Sequence, residues 1–328
     1  MIVTRTPLRV SFVGGGTDLP GFYRQHGGAV VSMAIRRYVN ITVNPLWPQG
    51  DHRIRLVYSR TEQVDSAEQV QHPIVRAALQ LLNIDRPVEI HSLADVPAGT
   101  GLGSSSSFTV GLLHALHAFE GRRPHWRQLA EEACHIELDM LGEPIGKQDQ
   151  YAAAAGGLRH LQFRPDDSVV SQPLDLSPQR QAAFLSHLLA FWVQGQRQAS
   201  SVLEGLNQDL DQQQHRLLRI ADLRATFLEQ LRDEHSDIRQ LGPLLHRAWT
   251  TKRALSAAIS TPRIDALYAR AQAAGATGGK LLGAGGGGFL LLFAPPGHHR
   301  QIRDAMGQRY ELPLELATEG SALVFQDP

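Results

Sequence analysis

The 328-residue sequence predicts an α+β fold in two domains. Strand-like and helix-like segments mix without the regular strand–helix alternation of a doubly wound sheet. The length suits two units of ~150 residues each, long enough to bury a core without metal or disulfides. The character of the chain changes at Arg164-Pro165-Asp166-Asp167, a polar, turn-forming stretch that reads as a linker or hairpin loop. These features divide the chain into residues 1–168 and 169–328.

Leu8 to Val13 alternates apolar and polar residues, as a half-buried strand does, and Gly14-Gly15-Gly16-Thr17-Asp18 breaks it. Ala29 to Ile35, Tyr38 to Val43 and Arg53 to Tyr58 predict further strands. His72 to Leu82 has helical spacing. Val88 to Ser92 is a short strand leading into a loop from Pro97 to Ser107. Phe108 to Phe119 predicts a helix with Gly111 as its one breaker, and Arg127 to Leu141 a second. Gly142 to Lys147 is a turn before the Ala-rich, helical Gln148 to Ala155. Beyond the linker, Leu188 to Val193 is strand-like, and Ser200 to Arg232, Ile238 to Ala258 and Arg263 to Ala274 are helical. A glycine run from Gly283 to Gly288 precedes an apolar strand, Phe289 to Phe293. His298 to Gln308 closes as a helix and Leu323 to Phe325 as a strand.

Thirty-two basic residues balance 32 acidic ones, which argues against a broad nucleic-acid surface but allows a local basic pocket. Only Lys147, Lys252 and Lys280 are lysine; the other basic residues are arginine. The single cysteine, Cys134, excludes an internal disulfide and any multi-cysteine metal cluster, and its helical context reads as a small buried residue. No apolar run reaches the ~18 residues of a membrane span. The first residues lack the apolar stretch of a signal peptide, so the expected location is the cytoplasm.

Three glycine-rich segments lie at residues 14–16, 99–103 and 283–288. Glycine permits positive φ and close approach of a backbone to a ligand, though it also serves ordinary turns. In the middle loop, Gly99, Gly101 and Gly103 precede Ser104 to Ser107 and then a helix. Free N–H groups and the helix dipole make such a junction an anion site, and hydroxyl groups add ligands for phosphate or Mg2+. One serine would suffice as a helix cap; four serines after three glycines point to phosphate. The loop is not a Walker A motif: neither Gly142 to Lys147 nor Gly275 to Lys280 has its spacing or its final Ser/Thr. The glycine run at 283–288 precedes its strand, the wrong order for a dinucleotide fold.

Two acidic residues have competing readings. Glu137 is either an exposed helix charge or a hard oxygen ligand for Mg2+. Asp149 is either a dipole-favouring residue at a helix start or an acceptor for a substrate hydroxyl. Lys147, two residues away, is placed to pair with Asp149.

Together the three loops resemble the motifs of the GHMP kinases, the superfamily of galactokinase, homoserine kinase, mevalonate kinase and phosphomevalonate kinase. The motifs are Thr6 to Asp18, Pro97 to Ser106 and Lys280 to Phe289, in family order and spanning nearly the whole chain. The resemblance implies a two-domain fold with its active site in the cleft between domains. It implies that Pro97, Gly99, Gly101, Leu102, Gly103, Ser104, Ser105 and Ser106 hold ATP, with Ser105 and Glu137 on Mg2+. It implies that Asp149 accepts or orients the proton of the attacking hydroxyl, with Arg9 and Lys147 supplying positive charge. Gly15, Gly16, Thr17 and Asp18 would hold sugar hydroxyls, and Gly285 and Gly286 would help shape the pocket.

Within the superfamily, Gly14 to Pro20 and Gly142 to Tyr151 most resemble the D-glycero-D-manno-heptose 7-phosphate kinases, which phosphorylate the anomeric C1 hydroxyl on the way to surface polysaccharides. Galactokinase carries a Gly-Glu-His core that is absent here. A 7-phosphate needs cationic or N–H donors, and Arg36, Arg37 and Arg197 are candidates. The segment departs from relatives at Arg36-Arg37 and at Gln194. The alternatives are a neutral-sugar 1-kinase acting on fucose or galactose, and a non-catalytic relative that binds ATP and sugar. Expected partners are a small sugar or sugar phosphate and ATP, with no nucleic acid and no membrane. The close pairs His114/His117 and His298/His299 lack the spacing of a zinc helix.

Overall fold

The structure is a computed structural model that describes residues 1–47, 52–193 and 210–327, without the side chains of 210–212. A large sheet runs in the order β11 (Ala322–Gln326), β1 (Ile2–Val13), β2 (Gly28–Pro45), β5 (Val88–Ala94), β3 (Ile54–Val57) and β4 (Thr61–Val64). β6 (Leu158–Phe163) pairs with the first half of β2, and β7 (Val169–Pro173) pairs with β6. Every pairing but β3 with β5 is antiparallel.

The two strands expected at 29–35 and 38–43 are one 18-residue strand. Arg36 and Arg37 fall at a register shift between β1 and β2 beside Pro7/Leu8, so the polar interruption is a bulge rather than a turn.

Helices cover one face of this sheet, as an α+β fold requires. α2 (Pro73–Leu82), α3 (Ser104–Phe119), α4 (Trp126–Cys134) and α5 (Gln148–Ala155) pack together on β1 and β2. α3 is buried almost all round. Gly111 lets it cross β1 closely: a β-carbon there would lie 2.7 Å from Thr6 Oγ1, and Thr4 Oγ1 donates to the Gly111 carbonyl (2.8 Å). The helix expected at 127–141 changes pitch at Cys134, and His135–Met140 forms a wider π turn.

A second, three-stranded sheet has the order β8 (Leu188–Trp192), β10 (Phe289–Phe293), β9 (Gly278–Leu281). Around it lie α6 (Pro178–Ser186), α7 (Leu210–Arg232), α8 (Leu241–Arg253), α9 (Pro262–Ala273) and α10 (His299–Met306). α1 (Pro20–His26) follows the first glycine loop. Phe22, Leu217, Ile220, Trp249, Leu255, Tyr268, Leu281, Leu290 and Leu292 belong to a second apolar cluster.

The expected division at 168/169 falls inside the β6–β7 hairpin, whose two strands both belong to the large sheet. The final strand returns there as well. Among the described residues, no helix is long and apolar enough to cross a membrane.

Candidate active site

The second loop leaves β5 and enters α3 with Gly99, Gly101 and Gly103 all at positive φ (76°, 82° and 74°). Gly103 is the residue before the helix, and no side chain caps its first turn. The serines are therefore inside the helix, not at its cap. Ser107 Oγ donates to the Pro7 carbonyl (2.8 Å), while Ser105 is exposed as a residue. The uncapped N–H groups and the dipole leave an anion-binding end.

The third loop is pressed onto the second. A β-carbon on Gly101 would meet the Leu282 carbonyl oxygen at 2.4 Å, one on Gly283 the Gly101 Cα at 2.6 Å, and one on Gly288 the Thr100 carbonyl oxygen at 2.4 Å. Gly285 and Gly286 turn back on Ile259, whose carbonyl accepts the Gly286 N–H (3.0 Å), while Gly283 and Gly288 are the residues that press on the second loop.

Arg9 reaches this loop from β1. Its Nη1 donates to the Gly101 carbonyl (2.6 Å), its Nε to Asp149 Oδ1 (2.7 Å) and its Nη2 to Asp149 Oδ2 (2.5 Å). The fork-to-carboxylate match is the strong bidentate kind. Arg9 is buried, and Asp149, in the first turn of α5, is partly exposed toward Gly103, where a β-carbon would lie 3.3 Å from Oδ2.

Asp18 is buried beneath the first loop. Its Oδ1 accepts the Gly16 N–H (2.9 Å), and Gly146 lies against it so closely that a β-carbon would sit 2.0 Å from Oδ2. Burial raises its pKa, and the charge of Asp149 adds to the rise. Thr17 Oγ1 closes the turn by donating to the Gly14 carbonyl (2.7 Å).

Glu137 sits in the π turn, 1% exposed. Its carboxylate accepts from Ser106 Oγ (2.8 Å), Ser105 Oγ (3.1 Å), Thr109 Oγ1 (3.1 Å) and Gln150 Nε2 (2.5 Å). Burial lifts its pKa to about 6, against those four donors. The π turn is what aims it inward; a change of pitch of this kind often marks a functional site. Of the two readings of Glu137, the exposed helix charge is excluded.

Three expected residues lie elsewhere. Lys147 does not pair with Asp149, whose carboxylate is held by the Arg9 fork. Its Nζ donates instead to the Asp167 carbonyl (3.2 Å) and carboxylate (3.4 Å). Arg36 is exposed and pairs with Glu315 at 3.4 Å, and Arg37 donates to the Arg36 carbonyl. Arg197 lies outside the described residues.

Two lysines from the C-terminal half complete the cluster. Lys280, 4% exposed, donates to the Ser11 carbonyl (2.8 Å), and burial takes its pKa well below the usual lysine range. Lys252 donates to the Gly283 carbonyl (2.9 Å), and burial lowers its pKa to about 8. The rarity of lysine was the available signal: two of three lysines in the chain converge here.

The description "GHMP kinases N terminal domain" matches residues 72–157 and "GHMP kinases C terminal" matches residues 227–312, together more than half of the chain. The chain is 26% identical over 311 residues to the D-glycero-alpha-D-manno-heptose 7-phosphate kinase of Campylobacter jejuni, covering 87% of this chain and 86% of that one. It is 25% identical over 303 residues to the bifunctional fucokinase/GDP-fucose pyrophosphorylase of Arabidopsis thaliana, covering 85% of this chain and 28% of that one. A crystal structure described as a D-glycero-D-manno-heptose 1-phosphate kinase from Bacteroides thetaiotaomicron shares the fold, with a TM-score of 0.73, 21% identity and full coverage of both chains. On these grounds the chain belongs to the GHMP kinase family and is an ATP-dependent sugar kinase.

Proposed function

We propose that this kinase transfers the γ-phosphoryl group of ATP to the anomeric C1 hydroxyl of D-glycero-D-manno-heptose 7-phosphate, giving the 1,7-bisphosphate. The observation that carries the phosphoryl-transfer reading is the Arg9–Asp149 pair, set against Gly103 at the mouth of the phosphate loop. The choice of sugar rests on the likeness to the Campylobacter jejuni heptose 7-phosphate kinase over most of both chains.

In this reading the loop from Pro97 to Ser106 holds the ATP phosphates on its uncapped helix end. Asp149 orients the attacking hydroxyl and accepts its proton. Arg9 keeps that carboxylate in place through its two parallel hydrogen bonds. Asp18, beside Gly16, accepts from sugar hydroxyls. The donor set around Glu137 fits Mg2+: one buried carboxylate, the Ser105 hydroxyl beside it, and the buried Gln150 Oε1 left without a partner. Mg2+ is usually held by one or two carboxylates plus substrate phosphates rather than by a protein cage. When bound, it would neutralise charge on the nucleotide phosphates. Positioning and charge complementarity then supply most of the catalysis.

A neutral-sugar 1-kinase of the fucose type is the second reading, favoured by the match to the Arabidopsis thaliana fucokinase. Arg36 is drawn away to Glu315, which leaves the recognition of a sugar phosphate without that arginine. Incubation with Mg·ATP and a sugar panel decides between them. Strong turnover of the heptose 7-phosphate, with a new anomeric phosphate signal by phosphorus NMR, supports the first. Turnover only of unphosphorylated fucose, galactose or mannose overturns it.

A further inference from the structure

The site holds more positive charge than its internal pairing consumes. Arg9 uses three of its N–H donors inside the protein, Nε and Nη2 on Asp149 and Nη1 on the Gly101 carbonyl, and its charge is paired with that carboxylate. Lys280 is buried beneath the first loop and directed at the Ser11 carbonyl. Lys252 is different. It stands in the last turn of α8 and makes one hydrogen bond, to Gly283, with no carboxylate within ion-pair distance among the described residues. Its Nζ lies over Gly15, 3.7 Å from where a β-carbon would be, and Gln148 Nε2 lies 3.9 Å from the same point. The first loop, the third loop and the start of α5 therefore meet at this ammonium. The third loop in turn touches the phosphate loop through Gly283 and Gly101.

We propose that Lys252 is the cation that contacts the phosphoryl group in transfer, a role that Arg9, neutralised by Asp149, does not fill. The inference rests on the phosphoryl-transfer reading but not on which sugar is the acceptor. In the step, the acceptor hydroxyl oxygen bonds to the γ-phosphorus and its proton goes to Asp149. The bond from γ-phosphorus to the bridging oxygen breaks, and its electron pair leaves with ADP. Negative charge on the equatorial oxygens then meets the free N–H bonds of Lys252. The groups that face this ammonium are Asp18 and Asp149, which favour its charge, and Arg9 and Lys280, which oppose it. With a pKa of about 8 it is mostly charged at neutral pH.

The test uses the full chain and Mg·ADP with and without aluminium fluoride, which stands in for the transferring phosphoryl group. Wild type should bind ADP at least ~100-fold more tightly with fluoride, the scale of transition-state mimicry. Lys252→Met should lose most of that gain while binding ADP alone within a few-fold of wild type. Its kcat, with the best acceptor from the panel, should fall roughly 100-fold, as when one charge-stabilising group is removed. Lys252→Arg should recover part of both, and it decides the matter should the Met variant not fold. An unchanged fluoride gain in these variants overturns the proposal. A wild type with no fluoride gain overturns it together with the phosphoryl-transfer reading, whereas a wrong heptose assignment appears only in the sugar panel.

Discussion

Arg9 and Asp149, 140 residues apart in sequence, are joined by two parallel hydrogen bonds of 2.7 and 2.5 Å. Arg9 is the buried member and Asp149 the partly exposed one, so the pair presents a fixed carboxylate beside Gly103. Asp149→Asn keeps one acceptor for the guanidinium but removes the carboxylate proposed to take the proton. We expect kcat to fall roughly 100-fold or more, the usual contribution of a positioned base. The fold should survive with a lower melting temperature, since Arg9 loses its counter-charge in a buried place. Parallel circular dichroism melts and ADP-release assays check this; full activity in the variant would remove Asp149 from the mechanism.

Glu137 gives a pH signature. Its pKa rises on folding from 4.5 to about 6 because it is buried. A raised folded-state pKa contributes stability that is complete below the unfolded value and is lost as pH rises through the folded one. The loss across pH 4.5 to 7 is about 2 kcal/mol at most. Glu137→Gln should therefore flatten the stability profile in that window, and should be equal to or more stable than wild type at pH 7 without nucleotide. With Mg·ADP the order should reverse, because the glutamine offers no charge to the cation. Melts at pH 4.5 and 7, with and without Mg·ADP, read both effects; a profile parallel to wild type would contradict the first.

Much of this site was legible in the sequence because its parts are local. Gly99 to Ser107 shows itself by composition, and the start of α5 puts Asp149 in a first turn by simple spacing. What periodicity misses is what tertiary packing decides. The Arg127 to Leu141 segment reads as continuous helix, yet the π turn redirects Glu137 inward. Nothing local shows that Lys147 turns to Asp167, since the two are 20 residues apart and only the fold brings them together. Nor does the leucine-rich pattern of α8 mark Lys252, whose meaning arises when the Gly283 loop folds against it. The β6–β7 hairpin kept the apparent linker inside the large sheet for the same reason: strand pairing is non-local.

Lys147 provides a test of the corrected placement. It bonds Asp167, which also accepts from Tyr23 Oη (2.6 Å) and Arg24. Those contacts, Tyr23 foremost, hold the Asp167 pKa at about 2. Lys147→Met should cost less than ~1 kcal/mol, because Asp167 is well exposed and keeps two other partners. Turnover should change by a few-fold at most. A loss of roughly 100-fold in kcat, on the scale of a catalytic group, would return Lys147 to the reaction centre.

The contact between the second and third loops can be weighed against simple backbone strain. Gly101 and Gly142 both have positive φ (82° and 65°), so alanine is strained at either. At Gly142 a β-carbon meets nothing within 4 Å, and the cost should be the conformational one alone, ~1 kcal/mol. At Gly101 it would strike the Leu282 carbonyl oxygen at 2.4 Å, backbone against backbone, and the loops must part. Gly101→Ala should then lose distinctly more stability than Gly142→Ala, and should weaken ADP binding where Gly142→Ala does not. Gly283→Ala pushes apart the same two strands of backbone from the other side, at 2.6 Å from the Gly101 Cα. Once one substitution has opened the gap, the second has less to disrupt. The double variant should fall short of the sum of the singles by about 1 kcal/mol, the range for residues in direct contact. Strict additivity in chemical denaturation would mean that the two loops do not depend on each other.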